Sequence, residues 1–283
     1  MFEASPGALA PRSVTGVVAR GLRLWSDNAV TLWGVLVPIT FAAEIAGVLA
    51  TVAAAPAGAR VLNGTIYVLP GSSTGGIVAA RLFANSLLAV AGIIGTGAAL
   101  RIFSEDAHGR SEPAREALRF GLRRFGSLLW LGIISFVLIA AASIALIIPG
   151  IYVLVAFFVA FPVLVVEGLT GGAALRRSHQ LVKGRWWATL GALLPSAILV
   201  GAGGVLIATT LRVSGSVLGL ALAQALGGLV IQALLVPLAT ASSVAIYLDL
   251  RARKEPGSIE ASTPAPPPLT GSAASPATGD IWS

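Results

Sequence analysis

The sequence predicts an all-α integral membrane protein with six transmembrane helices arranged as three hairpins, each preceded by an amphipathic helix at the cytoplasmic interface. Three observations predict it. Apolar residues make up 56% of the chain and charged residues only 11%, with a mean hydropathy of +0.88, far from the composition of a water-soluble domain. Charge-free runs reach the ~20 residues a helix needs to cross ~30 Å of hydrocarbon. Finally, 16 of the 19 Lys and Arg residues fall on one side of those runs, with only Arg60, Arg81 and Arg212 opposite. Because positively charged loops stay inside, both termini are expected in the cytoplasm. Arginine outnumbers lysine 17 to 2, which points to a GC-rich bacterial genome and hence to a bacterial cytoplasmic membrane.

The elements follow in order. Residues 1–11 lack a basic segment leading into a short apolar core, so a disordered N-terminus is expected and not a cleaved signal peptide. The membrane domain is expected over 12–255. Its first amphipathic segment sets Val14, Val17, Val18, Leu22 and Trp25 against Arg12, Arg20 and Arg23, the pattern of a helix lying in the headgroup layer. Crossings are expected at roughly 29–54 and 78–102. In the loop between them, "VLNGTIYV" predicts a small hairpin turning at Asn63–Gly64.

The second basic segment, "PAREALRFGLRRF", places Arg115, Arg119 and Arg123 on one helical face and Ala117, Gly121 and Phe125 on the other. The following 42 charge-free residues, 125–166, are too long for one crossing. Pro149 and Gly150 predict a reversal that divides them into 126–148 and 151–167. A third basic stripe, Arg176, Gln180 and Lys183, opposes Leu175, Ser178, Leu181 and Val182 before crossings at 187–210 and 217–248. Trp25, Trp130, Trp186 and Trp187 fit an aromatic belt at the inner boundary. Residues 256–283 are rich in Pro, Ala, Ser and Thr and predict a disordered cytoplasmic tail.

From Pro149 to Trp187 ("PGIYVLVAFFVAFPVLVVEGLTGGAALRRSHQLVKGRWW") and from Tyr247 to Glu255 ("YLDLRARKE"), the chain resembles the membrane domain found beside glycerophosphoryl diester phosphodiesterase catalytic domains. By helix pattern alone the resemblance extends back to about Val14, and it excludes the tail. One departure is His179, where relatives often carry an aromatic residue. The resemblance implies a membrane domain without the catalytic one. The His-Arg-Gly motif, second histidine and metal-binding carboxylates of that enzyme are missing, and His108 and His179 are the only histidines.

Few residues offer chemistry. The absence of cysteine excludes disulfides, thiolate metal sites and a cysteine nucleophile. "GSSTG" at 71–75 fits the serine-hydrolase elbow pattern, but that motif needs a strand-to-helix turn and a histidine on its own side. "GTGAAL" from Gly95 lacks the third glycine of a dinucleotide loop. A net charge of +7 spaced between apolar blocks does not make a nucleic-acid surface.

Glu44 stands out, because a carboxylate within a crossing costs ~2.5–3.5 kcal/mol on insertion scales unless it is paired or hydrated. Arg81 and Asn85 on the next crossing are its expected partners. Gly215, Gly219, Ala223 and Gly227 form a small-residue ridge, and Gln224 and Gln232 are expected to bond to neighbours. Arg20, Arg23, Arg119, Arg123, Arg176, Arg177, Lys183 and Arg185 are expected to contact lipid headgroups, each contributing about 1 kcal/mol near anionic lipid. No catalytic residue, cofactor or metal is expected. The two readings are a non-catalytic protein organising lipid or a partner protein at the cytoplasmic leaflet, and a transporter or transporter subunit with a Glu44/Arg81 site. Expected partners are membrane lipids and a membrane protein or a second copy of the chain.

Overall fold

The computed structural model describes residues 13–62, 65–69, 72–210 and 215–255. The two expected disordered ends, the Asn63–Gly64 turn, Gly71, Arg12 and Arg212 lie outside these residues. Helix α1 spans Val14–Asp27 and is capped by Ser13, whose Oγ accepts from the Gly16 N–H at 3.2 Å. Then follow α2 (Ala29–Ala53), strands β1 (Arg60–Leu62) and β2 (Thr65–Tyr67), and α3 (Gly75–Asp106). The second half comprises α4 (Ala114–Ala145), α5 (Ile147–Phe157), α6 (Ala160–Glu167), α7 (Gly171–Val182), α8 (Trp186–Thr210), α9 (Val217–Val230) and α10 (Val236–Lys254). A π-helical turn, Ile231–Leu235, joins α9 to α10. The strands pair antiparallel, with Leu62 opposite Thr65.

Among the described residues six helical spans are long and apolar enough to cross a membrane. The protein is a multi-pass, all-α membrane protein. Its large apolar side chains face outward, with Val30, Leu49, Phe136, Ile144 and Ile198 all exposed, an arrangement that suits a lipid solvent. The core instead gathers around α10. Almost every residue from Pro237 to Ala252 is buried, because α1, α3, α6, α7 and α8 all pack against this helix.

Two details differ from expectation. The basic segments before the first and fifth crossings are separate helices, α1 and α7, but the second runs without a break into α4. The breaks have local causes. Asn28 folds its side-chain amide back onto the Leu24 carbonyl at 3.0 Å, ending α1, and Gly184 turns the chain before α8 with φ +86°. Residues 114–126 contain Gly121 and Gly126, but neither adopts a positive φ, and the segment is otherwise rich in helix formers. Gly121 also lets α4 pass α3, since a Cβ there would stand 2.4 Å from the Ile94 carbonyl oxygen.

The reversal after the third crossing comes at Leu146, with φ −164° and ψ 146°, just before the expected Pro149–Gly150. Pro149 instead occupies the first turn of α5, where its missing N–H leaves no bond unmade. Gly150 is required by the close return, because a Cβ would lie 2.2 Å from Ser143 Oγ.

Prolines shape two further features. Pro162 cannot donate to the Phe158 carbonyl, and the fourth crossing divides there into α5 and α6. Pro237 likewise leaves the Ala233 carbonyl without its intrahelical partner, at the π-helical turn. Trp33 of α2 supplies that bond across the bundle, its Nε1 donating to Ala233 O at 3.0 Å, which offsets an unmade backbone bond in apolar surroundings.

Candidate functional site

Helices α2, α3 and α9, with Gly204 of α8 and Ile231 of the π-helical turn, line a half-open cavity of about 320 Å³ whose polar residues are Glu44, Thr51, Arg81, Asn85 and Gln224. The three residues singled out in the sequence thus share one chamber. They do not form the expected ion pair. Gly47 of α2 lies level with Ala84 of α3, their Cβ positions only 2.8 Å apart. Glu44 is three residues to one side of that level and Arg81 three to the other, an axial offset of about 9 Å at 1.5 Å per residue. Glu44 Oε1 is buried and has no hydrogen-bond partner among the described residues. The carboxylate fits because Gly228 of α9 has no side chain, a Cβ there falling 1.8 Å from Glu44 Oε1. This glycine lies one residue beyond the ridge seen in the sequence.

Beside the chamber, and sharing Asn85 and Leu88 with it, runs a groove of about 890 Å³ between α3, α4 and the π-helical turn. Its lining is apolar except for Asn85, Thr96 and Gln232. Gln232 places its Nε2 2.8 Å from where a Cβ of Gly92 would stand, so the glycine makes room for the amide.

The basic end of the bundle holds a different polar cluster. Glu167, at the end of α6, accepts from Arg177 Nε at 2.8 Å and from the Tyr247 hydroxyl at 3.0 Å. Arg177 also bonds Glu255. Arg251 donates to the Tyr247 hydroxyl at 3.2 Å and lies 3.5 Å from Glu255. Tyr247 itself is fully buried. The hydrogen bond that Arg177 donates to Glu167, with help from the one to Glu255, raises the Arg177 guanidinium above its ordinary range, and Arg177 holds the Glu255 carboxyl below the usual carboxylate range. Asp249 pairs with Arg253 at 2.8 Å. A smaller cluster closes the α3–α4 loop, where Glu105 takes Arg101 at 2.8 Å and Arg110 at 2.5 Å.

The expected headgroup contacts therefore divide. Arg23, Arg119, Arg123, Arg176 and Lys183 are exposed. Arg177 is committed to the internal network, and Arg20 lies near the Asp106 carboxylate. Arg185 is half-buried, its Nε without a hydrogen-bond partner among the described residues, beside Asp249 and Thr189 in a small cavity. His179 packs edge-on to Tyr152, ring centroids 6.3 Å apart, and Tyr152 stacks on Trp186 at 6.0 Å.

Sequence reasoning missed Glu167, Tyr247, Arg251 and Glu255 as a unit. A signal for part of it existed, since Tyr247, Arg251 and Glu255 recur every fourth residue along one helical face. Among the described residues no group of three or more His, Cys, Asp or Glu could hold a metal ion. No family model, curated protein or solved structure matches the chain.

Proposed function

We propose that this protein is a non-catalytic component of a bacterial cytoplasmic membrane, with both termini inside, that organises anionic lipid or a partner protein at the inner leaflet. The observation that carries this reading is the sorting of the basic residues. Those needed to fasten helices together are engaged internally, as Arg177 is, whereas Arg23, Arg119, Arg123, Arg176 and Lys183 remain exposed at one end of an otherwise apolar bundle. Exposed guanidinium groups beside apolar helix surface are what an anionic leaflet attracts. The resemblance to the glycerophosphoryl diester phosphodiesterase membrane domain supports the same reading. The two segments that carry it, 149–187 and 247–255, supply every member of the Glu167–Arg177–Tyr247–Arg251–Glu255 network, so a shared membrane scaffold is the property the two would have in common.

The test is to replace Arg119, Arg123, Arg176 and Lys183 together by Gln and compare lipid enrichment around the purified protein in nanodiscs of phosphatidylglycerol and phosphatidylcholine. The expected result is loss of phosphatidylglycerol enrichment at an unchanged unfolding temperature. Unchanged enrichment refutes the lipid-organising part of the reading and leaves only a partner protein for the basic end.

A transport role is favoured by one observation, the Glu44 side chain on the wall of a cavity that Arg81 also lines, with no partner for its Oε1 among the described residues. For that role, Glu44→Gln would abolish solute flux in reconstituted vesicles. Undiminished flux would remove Glu44 from any pathway.

A further inference from the structure

The turns of the first and third hairpins, opposite the basic end, stand at one level. Val61 of β1 and Gly215, two residues before α9, exchange both backbone hydrogen bonds, at 3.0 and 2.8 Å. The turn of the second hairpin is held elsewhere. Trp186, the first residue of α8, donates its Nε1 to the Tyr152 carbonyl at 3.3 Å. Tyr152 follows Ile147 by only five residues of α5, about 8 Å at 1.5 Å per residue, whereas α8 runs on from Trp186 for 25 residues, about 38 Å. Ser178 of α7 pins α5 again, its Oγ donating to the Ala156 carbonyl at 2.7 Å. Trp130, midway along α4, still lies against Gly171 at the start of α7, where a Cβ would stand 3.4 Å from the indole Nε1. Both arms of the hairpin are thus fastened to the basic helix α7. Length lets the third and fourth spans cross a membrane, but packing draws their reversal toward the basic end.

The tip suits hydrocarbon and not water. Ile144, Ile147 and Ile148 are 87%, 75% and 81% exposed, and no charged residue occurs from Phe125 to Val166. The other two turns contain Arg60 and Arg212. The backbone of the tip makes small demands on solvent: Leu146 donates to Ala142 O at 3.1 Å, Gly150 to Leu146 O at 3.3 Å, and Pro149 has no N–H. The sixth span shows the same asymmetry. Its inner half, α10, is surrounded by α1, α3, α6, α7 and α8, whereas its outer half, α9, packs mainly against α2 and leaves Leu218, Leu222 and Leu226 exposed.

We infer that the α4–α5 hairpin turns back within the inner leaflet, making the protein a wedge that is broad at the cytoplasmic face and favours membrane curved with that leaflet convex. Its partner is a curved lipid surface. Amphipathic segments that fill one leaflet bind in a curvature-dependent way, and here α1, α7 and the hairpin share the same leaflet. The leaflet assignment rests on the proposed orientation, with the basic end inside, but not on attraction of anionic lipid.

The chain has no cysteine, so single cysteines report position. In sealed vesicles, Ser73→Cys in the first outer loop should react with a membrane-impermeant maleimide added from the outer side, and Ile147→Cys should not. Reaction of Ile147→Cys from that side as fast as Ser73→Cys would overturn the inference. Reaction of Ser73→Cys from the inner side alone would overturn the proposed orientation and the leaflet assignment with it. Curvature preference is read with the full chain in small and large vesicles of phosphatidylcholine alone, which removes anionic attraction. Molecules with the basic end on the convex face should be severalfold denser on the small vesicles, and equal density would refute the wedge. Replacing Ile144, Leu146, Ile147 and Ile148 together by Ser should abolish the preference at an unchanged unfolding temperature, since none of them is buried. A dimer that this variant dissociates would show that a second copy covers the tip, which also overturns the inference. Because the lipid is uncharged, loss of phosphatidylglycerol enrichment leaves the wedge standing, and loss of curvature preference leaves the anionic-lipid reading standing. Should the serine variant fail to fold, the labelling and the distribution of the parent still decide.

Discussion

Glu167 and Glu44 are both carboxylates held within an apolar helix bundle, and their surroundings are opposite. Glu167 meets Tyr247 while Glu44 meets Gly228, so the two sites lie about 28 Å apart along the sixth crossing at 1.5 Å per residue. Glu167 receives a guanidinium and a phenol, and its partners are in turn bonded to Arg251 and Glu255. Glu44 receives no hydrogen bond at Oε1 from any described residue, and a glycine makes room for it. A fully partnered carboxylate fastens α6, α7 and α10 to one another, which is a structural task. An unpartnered one costs stability and persists where something other than stability requires it.

The sharpest way to break the comparison is to remove one member of the paired cluster. Arg177→Ala leaves Glu167 and Glu255 without their shared cation. Uncompensated charges in a fully buried pair cost ~3–5 kcal/mol; both acids here are partly exposed, so the expected loss is about 2–3 kcal/mol. Thermal or denaturant unfolding of the solubilised protein measures it, and Arg177→Lys should recover only part because lysine cannot serve two acids with a planar fork. A loss too small to detect would mean that the cluster does not fasten these helices.

At the other site the sign should reverse. Glu44→Gln removes an unpaired carboxylate from an apolar wall and is expected to stabilise the protein by about 1–2 kcal/mol. Gly228→Ala should destabilise the parent by a similar amount, through the clash with Glu44 Oε1, and be nearly neutral in a Glu44→Ala background. That coupling identifies the clash as its cause. If Glu44→Gln proves as destabilising as Arg177→Ala, the two carboxylates do the same work and the contrast fails.

How much of this was legible follows from the range of the forces involved. The six crossings could be read because length and charge exclusion are properties of each segment alone. Glu44 and Arg81 could be picked out as unusual for the same reason, yet their 9 Å offset depends on how α2 and α3 slide past each other, and Gly47 against Ala84 fixes that. The Glu167 network joins residues about 80 positions apart, and no local pattern reports such a pairing. Arg177 therefore read as one more headgroup contact among its neighbours. Continuity of the second basic segment with α4 depends on backbone conformation at Gly121 and Gly126, which stay helical where Gly184 turns the chain, and composition alone does not report which a glycine will do.

The smallest expected effect concerns pH, and it separates the clusters without replacing Arg177. Arg177 lowers the Glu255 carboxyl in the folded protein below its ordinary value of 4.5. The folded state thus binds a proton there less readily than the unfolded chain, and the pair stabilises the fold fully above pH ~4.5. That contribution is lost as the pH falls through the lowered folded value. Because Glu255 is about one-third exposed, the gain is screened and should stay under about 1 kcal/mol. Unfolding measured from pH 7 down to 3 should show this acid limb in the parent and a shallower one in Glu255→Gln, with Glu44→Gln retaining the parent's Glu255-dependent part. An identical acid limb in parent and Glu255→Gln would remove Glu255 from the cluster, leaving Arg177 to serve Glu167 alone.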